Sequence, residues 1–343
     1  MRSSSNHGET KLAGRTRMAE VQQKPKIKLA VYWGAACGGC CVSVLDVHEK
    51  LFDVVAAADL VFWPIALDIK YKDVEAMPDG HIDVTLFNGA VRNSENEHMA
   101  KLLRQKTKVL VAYGSCAHMG GIPGLANFST KEEIFKRVYL ESESTINPDK
   151  IMPQTKFQVK EGELELPVFY NDVRALNQAV DVDYYLPGCP PQTERLLEVF
   201  MAIVSGATLP PKGSVVGANE KALCDECERT KSDAKTIKRF YRPYEIVDDG
   251  KTCFLEQGVI CMGLATRGGC GSRCIKGNAP CRGCYGPPIT APDAGTKMMS
   301  SLATMIDSND ADEIQKIVGQ IVDPAGTFYR TSLPSSIIRR KLA

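Results

Sequence analysis

The chain has 343 residues, 44% of them hydrophobic and 24% charged, which is ordinary for a globular protein with room for two cores. Its formal net charge of +1 gives no basis for nucleic acid or an anionic membrane as the main partner. No apolar run reaches the length of about 18 residues that a membrane span needs.

The N-terminal stretch, residues 1–23, is polar and lacks apolar periodicity, so we expect a mobile tail. It has no hydrophobic region of a secretory signal. Arg15 and Arg17 are not adjacent, so a twin-arginine signal is absent as well. Met18 is an alternative start. The absence of an export signal favours a cytoplasmic location.

Residues 24–212 alternate apolar runs with helical patterns, which is typical of an α/β fold with a doubly wound parallel sheet. The predicted strands are 26–33, 59–63, 81–88, 108–113 and 182–186. The predicted helices are 42–57, 94–105, 131–139 and 191–205, and residues 120–180 form a long, less regular insertion.

The outlying feature of the composition is 13 cysteines. An odd count in a long chain without an export signal argues against a disulfide framework. In a reducing compartment, clustered cysteines are typical of metal ligands.

Four cysteines each follow a predicted strand, beside glycine or proline: Cys37, Cys40, Cys116 and Cys189. Loops after parallel strands meet at one edge of the sheet, so we expect these thiols to converge. Four thiolates on glycine-rich loops suit a cubane iron–sulfur cluster. A thioredoxin-like redox pair is the alternative for Cys37 and Cys40, and the placement of the other two argues against it.

A second cysteine group follows the linker at residues 209–213, where the α/β pattern ends. Its spacing is Cys224-x2-Cys227, Cys253-x7-Cys261-x8-Cys270-x3-Cys274-x6-Cys281-x2-Cys284. With few apolar residues to bury, this segment is expected to be organised by its metals rather than by a core. Eight cysteines divide into two four-ligand sites. Zinc is the alternative metal, although zinc ribbons place two CxxC pairs about 15–20 residues apart.

Helical periodicity returns near the C-terminus, over residues 295–306 and 311–321. The chain therefore divides into a tail (1–23), a sheet domain (24–212), a cysteine-rich domain (213–292) and a C-terminal helical extension (293–343).

The remaining residues offer no substrate-transforming site. There is no Ser–His–Asp order, no GxGxxG after a strand and no P-loop. Cys41 is left over after three sets of four, and we interpret it as a small buried hydrophobic residue at a helix start. His118 follows Cys116 by two residues. We interpret it either as an ordinary loop residue or as a hydrogen-bond partner near the site formed by the first four cysteines.

Several motifs resemble those of NiFe hydrogenase small subunits, and they stand in the same order. They are Cys37-Gly-Gly-Cys40, Gly114-Ser-Cys116-Ala, Pro187-Gly-Cys189-Pro-Pro and the stretch Gly258-Val-Ile-Cys261 to Arg267-Gly-Gly-Cys270-Gly. The resemblance covers residues 25–335. The chain is most similar to the cytoplasmic methyl-viologen-reducing branch, which does not reduce the deazaflavin coenzyme and supplies heterodisulfide reductase.

The resemblance implies a flavodoxin-like domain and three 4Fe-4S clusters. The implied ligands are Cys37, Cys40, Cys116 and Cys189 (the proximal set), Cys224, Cys227, Cys253 and Cys261 (the distal set), and Cys270, Cys274, Cys281 and Cys284 (the medial set). Many periplasmic relatives have histidine at the position of Cys224 and a three-iron medial cluster, whereas this chain has cysteines throughout.

The resemblance also implies a function. The chain is expected to be an electron-transfer small subunit whose partners are a large subunit, which alone holds the NiFe centre, and an iron–sulfur or flavin acceptor such as heterodisulfide reductase. Many family members have an acidic residue directly after the CxxC, where this chain has Cys41. The adjacent cysteines Cys40 and Cys41 resemble a motif of the quinone-linked subunit of respiratory complex I, in which neighbouring cysteines bind the cluster. A subunit of a complex-I-like or other non-hydrogenase oxidoreductase therefore stays open, as does a zinc-stabilised scaffold.

Overall fold

The computed structural model describes residues 25–234 and 236–341. The tail predicted for residues 1–23 lies outside this part of the chain. The strands are β1 (Ile27–Trp33), β2 (Ala58–Phe62), β3 (Ile82–Asn88), β4 (Val91–Asn93), β5 (Thr107–Tyr113), β6 (Lys156–Val159), β7 (Gly162–Glu165), β8 (Phe169–Arg174), β9 (Tyr184–Leu186) and β10 (Ser214–Val215).

The α-helices come between and after these strands. They are α1 (Gly39–Leu45), α2 (Leu51–Ala57), α3 (Tyr71–Glu75), α4 (Ser94–Lys106), α5 (Ser115–Met119), α6 (Lys131–Tyr139), α7 (Thr193–Ser205), α8 (Arg273–Lys276), α9 (Ala294–Met305), α10 (Ala311–Val318) and α11 (Pro324–Phe328). Within the described residues, no helix is both long and apolar enough to cross a bilayer.

The central sheet has six strands in the order β10-β9-β5-β3-β1-β2, and every pairing in it is parallel. Parallel neighbours need crossover connections, which helices supply on both faces. The strand order reverses at β1, as it does in flavodoxin-like sheets. The predicted α/β, doubly wound fold is confirmed.

Two apolar cores result from the alternation of side chains along the strands. On β1, Leu29 and Val31 pack with residues of α1, α2 and α7 in one core. Ala30 and Tyr32 pack with residues of α3 and α4 in the other. The sheet is thus covered on both faces, and its carboxyl edge is left to the loops.

The predicted helix over 42–57 is divided in the structure. α1 and α2 are separated by a 3-10 turn over His48–Lys50, and His48 has a φ of 53°. A left-handed residue cannot continue an α-helix, so the chain changes direction there. The insertion contains α6 as predicted. It also forms the antiparallel pair β6-β7, and its strand β8 pairs with β4, which precedes the insertion; apolar alternation indicated neither pair.

The cysteine-rich segment has an apolar core, so the expectation that metals alone organise it was wrong. Buried residues from Leu223 to Leu333 form one cluster that includes Phe240, Phe254 and Met298. The stretches between the cysteines contribute some of them, and the C-terminal helices α9, α10 and α11 contribute the rest. Burial of these side chains stabilises the segment before any metal is considered.

Candidate metal centres

The proximal set gathers at the carboxyl edge of the sheet. Cys37 lies after β1, Cys40 in α1, Cys116 in α5 after β5, and Cys189 after β9. Burial raises the pKa of the Cys40 thiol, and the neighbouring thiols of Cys116, Cys189 and Cys37 raise it further. Burial likewise raises the pKa of Cys116 to about 12, with Cys189 and Cys37 as its thiol neighbours. The structure therefore brings together the four residues that the strand positions predicted.

Two glycines make room for these sulfurs. Gly114 has a φ of 87°, and a Cβ added there would overlap Cys40 Sγ. Gly121 has a φ of 57°, and its added Cβ would overlap Cys116 Sγ. A side chain at either position would be strained by its backbone conformation and by contact with a thiol. Glycine at these two positions leaves the space that the sulfurs of Cys40 and Cys116 occupy. The sequence showed glycines near the cysteines but did not indicate which of them contact a sulfur.

The distal set is formed within the cysteine-rich segment. Burial raises the pKa of Cys224 to about 12, and the thiols of Cys261, Cys253 and Cys227 contribute to this shift. Burial also raises the pKa of Cys261 to about 11, although backbone N–H groups of Gly263 and Cys281 donate to its sulfur and lower it. All four predicted members are thus neighbours.

The medial set lies between the other two. Its members line a cavity of about 290 Å³ together with Cys189 of the proximal set. Burial raises the pKa of Cys284 to about 12, and the thiols of Cys189, Cys270 and Cys274 add to it. Cys281 has Cys261 and Cys284 as thiol neighbours.

Two contacts link the sets in series. Cys189 and Cys284 line the same cavity, and the Cys189 thiol helps to raise the pKa of Cys284, which joins the proximal and medial sets. The N–H of Cys281 donates to Sγ of Cys261 at 3.3 Å, which joins the medial and distal sets. The order in space is therefore proximal, medial, distal.

The donor set fits iron–sulfur clusters. Each set offers four sulfurs, at least one of which is buried, and the medial set has space beside its thiols. The pKa values of these thiols are raised because thiolates crowded together repel one another and lose hydration. Bound iron supplies the positive charge that stabilises them, so loading would release protons.

Cys41 is a buried residue of α1, directly after Cys40, and its thiol adds slightly to the raised pKa of Cys40. Asn88 Nδ2 donates to the Cys41 sulfur at 3.1 Å. The interpretation of Cys41 as a small buried residue agrees with its burial. Its polar partner comes from the end of β3, and no local signal in the sequence indicated it.

His118 lies in α5 rather than in a loop, and it is partly buried. Its ring packs on that of Tyr185 with centroids 4.8 Å apart. Its Nδ1 has no hydrogen-bond partner in the described structure. Burial, assisted by the charge of Arg267, lowers the pKa of His118 to about 4, so the ring is neutral at pH 7.

Known proteins share this chain's sequence over most of its length. The family described as NADH ubiquinone oxidoreductase, 20 Kd subunit, matches residues 37–203. The chain is 42% identical over 322 residues to an iron-sulfur subunit of the F420-non-reducing hydrogenase of Archaeoglobus profundus, and the match covers 92% of this chain and 99% of the relative. The chain belongs to this family of F420-non-reducing hydrogenase subunits.

A second member, from the F420-non-reducing hydrogenase of Methanothermobacter marburgensis, is 36% identical over 92% of this chain and 97% of its own length. A chain of the NAD+-reducing [NiFe]-hydrogenase in the H2-reduced state has 29% identity and a TM-score of 0.46, over 54% of this chain and 96% of that chain. The predicted resemblance to hydrogenase small subunits is confirmed by the two F420-non-reducing relatives, and the chain is accordingly part of an oxidoreductase.

Proposed function

We propose that this chain is the electron-transfer small subunit of a NiFe hydrogenase. It would relay electrons from hydrogen oxidation in a partner large subunit through three 4Fe-4S clusters to an iron–sulfur or flavin acceptor, such as heterodisulfide reductase. The observation that supports this proposal is the serial contact of three four-thiol sets, through Cys189 and Cys284 and through Cys281 and Cys261. The bound clusters would supply reversible one-electron transfer.

The protein's own part is to hold, space and shield these groups. The twelve cysteines of the three sets would be the ligands, with no role for Cys41. Cys40, Cys116, Cys261 and Cys281 are each less than 9% exposed, which keeps water from the sulfurs. Burial and N–H donors at sulfur are two factors that set the potential of an iron–sulfur site.

We place the large subunit at the proximal end. Cys37 and Cys189 are exposed in this chain, unlike the other two members of their set. The helices that follow Cys37 in the chain, α1 and α2, carry exposed apolar side chains, with Val42 54%, Leu45 51% and Phe52 76% exposed. A large subunit on this face would bury both the apolar patch and the open side of the set.

Two of the alternatives have less support. Zinc has less support than iron because the relative from Archaeoglobus profundus, which matches 92% of this chain, carries the name of an iron-sulfur subunit. A non-hydrogenase role is disfavoured by relatives that carry the hydrogenase name over more than nine tenths of this chain. A cytoplasmic location suits 13 free thiols, which a reducing compartment preserves.

Anaerobic co-purification with the large subunit tests the proposal. The expected complex is brown, contains about twelve irons and twelve sulfides per copy of this chain, and reduces methyl viologen with hydrogen. Zinc in place of iron would contradict the cluster assignment. Iron without hydrogen-dependent dye reduction would contradict the hydrogenase role.

A further inference from the structure

A groove of about 650 Å³ opens on the second domain, and arginines dominate its charge. Arg239, Arg242, Arg282 and Arg330 line it, from three separate stretches of the chain. Among the residues that the structure describes, none of these four guanidinium groups forms an ion pair. Arginines elsewhere on the surface do, such as Arg195 with Glu198 at 2.7 Å.

The positive charges lie close enough to repel one another. Burial lowers the pKa of Arg330, and the charges of Arg282 and Arg242 lower it further, against the attraction of Asp323. The lining contains one carboxylate, Glu245, which accepts a hydrogen bond from the backbone N–H of Arg242 at 2.6 Å. Within the described chain, four guanidinium groups therefore face only Glu245 and the nearby Asp323, and the groove keeps a net positive charge.

The groove adjoins two of the cysteine sets. Ile260 and Pro280 line it, and they directly precede Cys261 and Cys281 in the chain. The backbone N–H of Cys281 donates to Cys261 Sγ, so this is where the distal and medial sets meet. The lining of the groove is thus one residue away, along the chain, from a cysteine of each of these sets.

The walls have the composition of a protein interface. Tyr244 is 83% exposed and Val322 is 56% exposed, and both line the groove beside the arginines. The Arg239 guanidinium packs over the Tyr241 ring at 4.9 Å, which fixes its position. Tyrosine and arginine are the side chains enriched at the centres of protein interfaces.

We propose that this arginine groove is the docking site for an acidic surface of the electron-accepting protein. The inference rests on the proposed function, and it adds the position and the charge of the partner. An acidic partner would supply the carboxylates that the four guanidinium groups lack, and opposite charges would speed its encounter. A docked partner would lie beside the distal and medial sets, where electrons leave the chain.

The test uses the complex of this chain with its large subunit. The charge-reversal variant is Arg242→Glu/Arg282→Glu, and the matched control is Lys72→Glu/Lys160→Glu, which changes the net charge equally at exposed residues outside the groove. Two acceptors are compared with hydrogen as the donor: rubredoxin, a small acidic redox protein, and benzyl viologen, a small cationic dye.

We expect the groove variant to lower kcat/KM for rubredoxin by about tenfold at low salt, and to leave dye reduction unchanged. The control variant should keep both rates, and about 0.5 M NaCl should bring the parent close to the groove variant. An unchanged rubredoxin rate would overturn the proposal, and so would an equal fall in both rates. Inhibition of rubredoxin reduction by inorganic phosphate but not by chloride at equal ionic strength would assign the groove to a small anion, and would also overturn it. A parent complex that fails to reduce the dye would instead contradict the proposed function.

Discussion

The backbone N–H of Cys281 donates a hydrogen bond of 3.3 Å to the sulfur of Cys261, although the two cysteines belong to different sets. The peptide group of Cys281 therefore belongs to a residue of the medial set and also contacts a sulfur of the distal set. Hydrogen bonds to sulfur ligands tune iron–sulfur potentials. A change at this contact is expected to affect both sites together, so the sets are best tested by variants that lie farther from it.

Cys116→Ser tests the proximal set. Cys116 is buried beside Cys189 and Cys37, and serine would replace a thiolate with a poorer iron ligand. We expect a loss of up to about four irons per chain and loss of hydrogen-dependent dye reduction, with the large subunit's metal centre still assembled. Iron analysis and methyl viologen assays measure both effects.

Cys41→Ser is the matched control for that variant. Cys41 is likewise buried, in α1 next to Cys40, and its sulfur accepts a hydrogen bond from Asn88. Iron content and dye reduction should remain at the level of the parent. Iron loss from Cys41→Ser, together with full iron in Cys116→Ser, would reverse the assignment.

Gly114→Ala should damage the proximal site without removing a ligand. The new methyl group would overlap Cys40 Sγ at a residue with a φ of 87°. We expect the unfolding free energy to fall by about 1–3 kcal/mol, with loss of iron from this site. Urea unfolding and iron analysis under anaerobic conditions measure the two effects.

The control for this glycine is Gly206→Ala, at the C-terminal end of α7. Gly206 also has a positive φ, of 73°, and an added Cβ would meet nothing within 4 Å. It should lose about 1 kcal/mol from backbone strain alone and keep its iron. Equal iron loss from both variants would mean that strain, rather than contact with sulfur, explains the effect.

The sequence was most informative where chemistry is tied to strand ends. Cys116 and Cys189 are 73 positions apart, yet the rule that parallel strands share a carboxyl edge predicted that they meet. The same rule says nothing about packing between domains. The contact of Cys284 with Cys189 depends on how the second domain rests on the sheet, so residue patterns did not indicate it.

Other structural features could not be predicted from the sequence, for different physical reasons. The break at His48 comes from a left-handed backbone at a non-glycine residue, which propensity does not reveal. The second apolar core combines residues as distant as Leu223 and Leu333, so no local window showed it. The arginine groove likewise combines three stretches, each with an ordinary share of charge.

A pH-dependent prediction concerns Glu97 on α4. Hydrogen bonds from Lys101, Tyr170 and Arg174 lower its pKa to about 2. A carboxylate with a depressed pKa stabilises the fold above its unfolded value of about 4.3, and this contribution disappears as the pH falls toward 2. Glu97→Gln should therefore lose about 1–2 kcal/mol at pH 7.

The difference between this variant and the parent should shrink as the pH falls below about 4, where the carboxyl of the unfolded parent takes up its proton before the folded one does, and should be small near pH 2. Urea unfolding of the anaerobic protein at several pH values measures the trend. Glu132→Gln is the control, because the Glu132 side chain is 74% exposed and its ion pair spans 3.9 Å. A difference that stays constant with pH would show that lost packing, rather than lost charge, is the cause.

The final prediction concerns a buried ion pair beside the distal set. Both guanidinium nitrogens of Arg229 contact the Asp248 carboxylate at 2.6 Å, and Nη1 also donates to the carbonyl of Thr252, which precedes Cys253. The arginine also packs over the Phe254 ring at 3.8 Å. The ion pair therefore helps to hold the backbone at Thr252 and Cys253, and so the position of the Cys253 thiol of the distal set.

Asp248→Asn would leave Arg229 buried without its counter-charge, since the arginine side chain is only 5% exposed. Breaking one partner of such a pair costs about 3–5 kcal/mol, whereas replacing both by apolar residues is often nearly neutral. Arg229→Met/Asp248→Leu should therefore unfold at higher urea than Asp248→Asn. If the double variant is the less stable of the two, the hydrogen bond from Arg229 to Thr252, rather than the charge balance, is what holds Cys253 in place.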